Sequence, residues 1–221
     1  QKCDANNVYL LRYLAFSQFE TSDFVSGLAN SDAFFAKATP DTKIVPKDYE
    51  YRAKLLSKNN KDSLAIIEYK KAMELQPDKV ELNGDIANAY IKLKKYNEAI
   101  EAYKVKMAKV KPNANDYFGI GRAYYYNKDF INADSAFAKI ILVQPDLPLG
   151  HLWRAKANTQ LDPKNEKWSA KAFYEAYISK IKPEEVEKNK KDLIDAYTYL
   201  GVYYMNNKDV CTAKTYFKKV A

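Results

Sequence analysis

A fixed interval runs through this chain. Gln76-Pro77-Asp78 and Gln144-Pro145-Asp146 are the same tripeptide set 68 residues apart, twice a period of 34. Within that period, residues 117–145 carry Tyr117, Ile120, Gly121 and Tyr124, then a polar turn, Asn127-Lys128-Asp129, then Ala133, Phe137 and Pro145. The same skeleton returns near the end as Tyr197, Leu200, Gly201 and Tyr204, Asn207-Lys208-Asp209, Ala213 and Phe217. Large, small and aromatic residues at helical spacing, broken by a polar turn and closed by proline, read as two short antiparallel helices. A pair of that size cannot bury its apolar face alone, so successive pairs must stack.

This skeleton resembles the tetratricopeptide repeat, a helical-hairpin family with a period of about 34 residues. The resemblance runs from Val8 to Ala221 and is strongest over 49–145 and 197–217. It implies an all-α solenoid of about six repeats forming a right-handed superhelix, with repeats near 8–45, 46–79, 80–113, 114–147, 148–183 and an incomplete 194–221. Residues 1–7 are expected to be frayed. Pro46 suits the first turn of a helix, and the fifth repeat starts near Pro148. Residues 161–167 lengthen the inner loop of the fifth repeat, with Trp168 expected to plug it, and Pro183-Glu184-Glu185 is expected to open an extended charged helix through 184–193. Gly27, Ala65, Ala99, Ala133, Ala170 and Ala213 fall where paired helices approach most closely. Tyr69, Tyr103, Phe137, Tyr174 and Phe217 are expected to fill the layer between neighbouring repeats. Ala221 falls inside a second helix before any closing proline, so the reading expects the chain to continue or another chain to cover that end, with oligomerisation as one route.

With 47% apolar and 29% charged residues, and only 6 Gly and 8 Pro, the composition suits a helical chain with no stretch apolar enough to span a bilayer. The net charge of +8 favours acidic partners. Its lysines are dispersed, with no arginine-rich tract, which argues for a solvated surface over a nucleic-acid site. Cys3 and Cys211 lie at opposite ends of a stacked array and are not expected to bridge; Cys211 reads as a small buried thiol. The chain begins at Gln1 without an initiator Met, which fits removal of a signal peptide or a chosen boundary. Similarity to exported bacterial tetratricopeptide proteins rich in Lys, Asn and Tyr implies the periplasm or cell envelope, with the cytoplasm as the alternative.

The first helices of such repeats line an inner groove. Lys54, Asn88, Arg122 and Lys156 recur every 34 residues, predicting a ladder of hydrogen-bond donors on that surface. Ile91, Phe118, Tyr125, Leu152 and Thr159 are expected beside them. Donors for peptide carbonyl or carboxylate oxygens, with aromatics for side chains, describe a non-catalytic scaffold for a protein or peptide partner, needing no cofactor and no metal. In the resembled family, sites for acidic chaperone tails pair a Lys with an Asn four residues apart; Gly84 stands four residues before Asn88, so that clamp is not reproduced. A glycan- or ligand-binding scaffold and a basic nucleic-acid-binding solenoid are the alternatives. Enzyme chemistry is disfavoured. His151 is the single histidine, Gly119 and Gly121 lie within a helix pattern, and Glu184-Glu185 reads as ordinary surface.

Overall fold

The computed structural model describes residues 7–220, and these form helices and turns with no strand among them. The chain gathers into two compact units, 1–111 and 112–221. Periodicity alone suggested one array over 8–221; the packing divides it at Pro112, the proline that closes the third repeat. The first unit holds three hairpins: α1 (Val8–Glu20) with α2 (Phe24–Lys37), α3 (Pro46–Lys58) with α4 (Asp62–Leu75), and α5 (Leu82–Lys92) with α6 (Tyr96–Lys109). The second holds α7 (Ala114–Tyr126) with α8 (Phe130–Val143), α9 (Pro148–Leu161) with α10 (Lys171–Lys180), and α11 (Lys190–Asn206) with α12 (Val210–Lys218). Each unit is a helical solenoid of the expected all-α class. No helix of the described residues is long and apolar enough to cross a membrane.

One turn design closes five of the six hairpins. After α7, the Lys128 N–H donates to the Tyr125 carbonyl at 3.0 Å and the Asp129 N–H to the Tyr124 carbonyl at 2.9 Å, with Lys128 at φ 63°. This is a Schellman ending, in which one left-handed residue lets the chain reverse while satisfying the last carbonyls of the helix. Ser22, Asn60, Lys94 and Lys208 hold the same conformation at the matching turns. The following residue starts the next helix. Asp23, Asp129 and Asp209 accept from Ser26, Asn132 and Thr212 backbone N–H groups respectively, satisfying donors that would otherwise have no partner.

The fifth hairpin differs because its loop is longer. Asp162 is buried there, and its carboxylate accepts from the N–H groups of Glu166, Lys167 and Ser169 at 2.9–3.3 Å. Trp168 plugs the loop as expected, standing edge-on to Tyr199 and Tyr203 with ring centroids 5.4 and 5.2 Å away.

The small residues do what their spacing required. Ala65, Ala99, Ala133, Ala170 and Ala213 are all fully buried, as are the rings of Tyr69, Tyr103, Phe137 and Tyr174 to within a few per cent. Phe217 is only half-buried, lining an apolar depression of about 440 Å³ with Met205 and Val210 at the outer end of α11 and α12.

Three expectations are corrected. Asn7 is an N-cap, accepting from the Tyr9 N–H, and so is held by α1 instead of fraying; residues 1–6, including Cys3, lie outside the described residues. Cys211 is exposed, because it stands in the first turn of α12 on the side away from α11. Residues 183–193 do not form one charged helix. A single 3₁₀ turn spans Pro183–Glu185, and α11 starts only at Lys190. Glu185 turns back to accept from the Lys182 N–H, and its own carbonyl accepts from both the side-chain amide and the backbone N–H of Asn189.

Candidate functional site

The second unit brings a cleft to the face formed by its first helices. Asn113 and Asp116 start α7 with a capping box and the Lys128 turn ends it, which places Tyr125 and Tyr126 in its last turn. Pro148 occupies the first turn of α9, so Trp153, Lys156 and Gln160 follow at three- and four-residue steps along one stripe. Arg154 fixes that helix against α8 through a bidentate pair with Asp134 at 2.8 and 2.9 Å, and Asn158 donates to the same carboxylate. On α11, Asp192 and Asp195 stand in the first two turns, where the helix dipole favours negative charge.

Tyr125, Tyr126, Trp153, Lys156, Thr159, Tyr174, Asp192 and Asp195 line this cleft of about 420 Å³, with Gln160 and Lys191 at its edge. Trp153 is the hub of the aromatic packing. Its ring lies 5.4 Å from Tyr125, 5.6 Å from Phe118 and 5.3 Å from the buried ring of Phe137. The Lys156 ammonium sits 5.2 Å over the Trp153 ring and pairs with Asp192 at 2.7 Å. Arg122 lies over the rings of Phe118 and Tyr126 at 5.5 and 5.8 Å, and among the described residues no carboxylate pairs with it. Burial pushes the hydroxyls of Tyr125 and Tyr174 above the usual phenol range, so both remain protonated donors at neutral pH.

The expected donor ladder is thus partly engaged by the protein itself. In the first unit, Lys54 pairs with Glu50 at 2.6 Å, and Lys79 reaches the other oxygen of the same carboxylate at 2.6 Å. Burial pushes the Glu50 carboxyl up, but its bonds to both lysines outweigh that and hold it below the usual value. Asn88 is exposed, yet its side-chain oxygen accepts from the Tyr103 hydroxyl at 2.9 Å. Arg122 and Lys156 lie in the second unit with Phe118, Tyr125 and Thr159. Ile91 and Leu152 do not face a groove. They are 7% and 4% exposed, Ile91 four residues beyond the fully buried Ala87 on the inner stripe of α5, and Leu152 packed with Ala155 and Tyr174.

Sequence reasoning missed Tyr126, Trp153, Asp192 and Asp195. Tyr126 and Trp153 had a readable signal, since they add rings on the side of the donor positions rather than at the packing positions. The aspartates had none, because nothing in the repeat spacing marks a carboxylate at these positions as facing a cleft. No group of three or more His, Cys, Asp and Glu side chains among the described residues converges to hold a metal.

The family model for the tetratricopeptide repeat matches residues 80–104. Among solved structures, the chain is similar to the C-terminal part of a repeat-containing protein of that type from Cytophaga hutchinsonii, at 30% identity and a TM-score of 0.84, over 98% of this chain and 83% of the other. It is also similar to a tetratricopeptide repeat protein from Parabacteroides merdae, at 18% identity and a TM-score of 0.64, over 100% of this chain and 80% of that one. A third likeness, at 18% identity and a TM-score of 0.59 over 78% and 83%, is to YrrB, described as a repeat protein with an unusual peptide-binding site. Comparison with curated proteins finds no match.

Proposed function

The chain belongs to the tetratricopeptide repeat family, and from that premise we propose that it is a non-catalytic scaffold that holds a peptide segment of a partner protein in the ring-lined cleft of its second unit. The observation that carries this reading is the convergence in one cleft of four rings and two carboxylates, with Arg122 over the ring of Tyr126 beside it. Rings give affinity through apolar contact, while fixed polar groups set direction and register. Arg122 is placed to donate to backbone carbonyls or to an acidic side chain, and Tyr125, Tyr126 and Thr159 supply the adjoining surface. Peptide binding by a protein of the same fold, YrrB, is consistent with this use of the scaffold. In the first unit, Lys54 and Asn88 already serve internal partners and contribute less.

Selection of peptides from a displayed random library on the immobilised chain tests the reading. Peptides that bind should lose about tenfold or more in affinity to Arg122→Glu or Tyr126→Leu variants of unchanged helicity and melting temperature, the scale of one central contact at an interface. Equal binding to all three proteins would place recognition elsewhere, and failure to select any peptide would count against a peptide scaffold. The periplasm or cell envelope is the proposed location, supported by the resemblance to exported proteins of similar composition; cell fractionation checks it.

A further inference from the structure

Three of the four rings of the cleft are arranged as the corner of a box. Tyr125 meets Trp153 at an interplanar angle of 86°, Tyr126 meets Trp153 at 81°, and Tyr125 meets Tyr126 at 83°. Mutually perpendicular rings do not offer the broad flat platform on which a sugar face stacks. Their faces already draw cations, Arg122 over Tyr126 at 5.8 Å and Lys156 over Trp153 at 5.2 Å. Asp192 and Asp195 line the same cleft, so a cation entering it meets ring faces and carboxylates together. The protein demonstrates the preference internally, since Lys156 places its ammonium over Trp153 and against Asp192. Lys156 is a poor permanent occupant. Its side chain is about a quarter exposed, its stem is flexible, and its carboxylate partner lies on a different helix, so the pair is one that a ligand can exchange.

We propose that the cleft takes the ammonium group of a lysine side chain from the partner peptide, and that Lys156 is an internal stand-in that the incoming lysine displaces. This rests on the peptide-binding reading above and adds the chemistry of the residue recognised. The exchange is balanced in charge: one ammonium leaves the Trp153 face and Asp192 for solvent while another arrives, so the positive Arg122 and Lys191 nearby oppose entry no more than they oppose the resident lysine. Asp195 adds a second carboxylate to the incoming group.

The test is nuclear magnetic resonance of the Trp153 indole N–H, assigned against the Trp168 signal with a Trp168→Phe variant. The probes are acetyl-lysine methylamide and its neutral counterpart acetyl-norleucine methylamide. The lysine probe should shift the Trp153 signal saturably and the norleucine probe should not. Lys156→Met frees the ring and Asp192, and should tighten binding of the lysine probe about three- to fivefold, while Tyr126→Leu should weaken it by a similar factor, the scale of one exposed cation–π contact. Equal shifts by both probes would overturn cation recognition while leaving an apolar peptide cleft standing. Library-selected peptides that move the signal without needing a lysine would do the same. Lys156→Met binding no tighter than wild type would overturn displacement, and no movement by either probe or by any peptide would remove the cleft from both readings.

Discussion

Gly121 shows how a single atom sets the geometry of a hairpin. A Cβ built there would lie 2.5 Å from Cε1 of Phe137, a ring that is fully buried between α7 and α8. The ring cannot withdraw, because Ala133 and Ile140 close around it. Gly121→Ala should therefore cost about 1–3 kcal/mol, the usual range for overpacking, read from urea unfolding followed by circular dichroism. Gly201 makes the same approach to Phe217 at 2.6 Å, but that ring borders the open depression at the end of α12 and has room to move. Gly201→Ala should cost measurably less, and equal costs would contradict the distinction. These positions were legible in the sequence because packing requires the same small residue at the same place in each repeat. The fate of Lys156 was not, since its partner Asp192 lies 36 residues away and off the 34-residue interval. At the same scale, burial, with Lys180 and Arg154 nearby, holds His151 below its usual value even though the Pro145 carbonyl beside it favours the charged form. A depressed histidine contributes stability that is present above its unfolded pKa and lost as pH falls through it. The melting temperature should thus decline between about pH 7 and 5, and His151→Asn should flatten that decline.

At the scale of the element, the hairpins are joined by turns that demand a left-handed residue, and the chain uses Ser, Asn and Lys there instead of Gly. A left-handed conformation costs an L-residue with a Cβ about 1–2 kcal/mol, less whatever its side chain recovers. Lys128→Gly and Lys94→Gly should then each stabilise the chain by about 0.5–1 kcal/mol after the larger chain entropy of glycine in the unfolded state is counted. Thermal unfolding checks it, and destabilisation would show that these lysines make turn contacts worth more than the backbone strain. The polar composition of these turns and the prolines at Pro46 and Pro148 made the element boundaries legible. Residues 183–189 were not, because their composition is helical and gives no sign that only a 3₁₀ turn forms over Pro183–Glu185. The longer loop of the fifth hairpin was visible as extra length, whereas its closure by Asp162 was not. Asp162→Asn should lower the melting temperature and expose 163–169 to proteolysis, since three N–H donors converge on a carboxylate that an amide replaces with a single acceptor oxygen.

For the whole molecule, the net charge of +8 poses the question of whether charge or shape selects a partner. Many of the cations are already committed within their own unit: Lys54 and Lys79 to Glu50, Lys92 to Asp62, Arg154 to Asp134, Lys156 to Asp192 and Lys171 to Glu175. The Glu50 pairing makes the point quantitatively, since Glu50→Gln should cost about 1–2 kcal/mol by leaving two half-buried ammoniums without their carboxylate, and a neutral result would return those lysines to the free surface. What remains is dispersed positive charge, which speeds encounter with an acidic surface but carries little discrimination. A protein held to a polyanion by 6–10 phosphate contacts loses roughly 10³–10⁵ in affinity between 50 and 200 mM salt. Recognition by rings and a few hydrogen bonds in the cleft of the second unit should instead lose less than about tenfold over that range, because contacts at short range are little screened. Titrating a library-selected peptide at both salt concentrations decides between the two. A shallow dependence assigns selection to the cleft and encounter to the surface, and a steep one returns the basic surface, and with it nucleic acid, to the front.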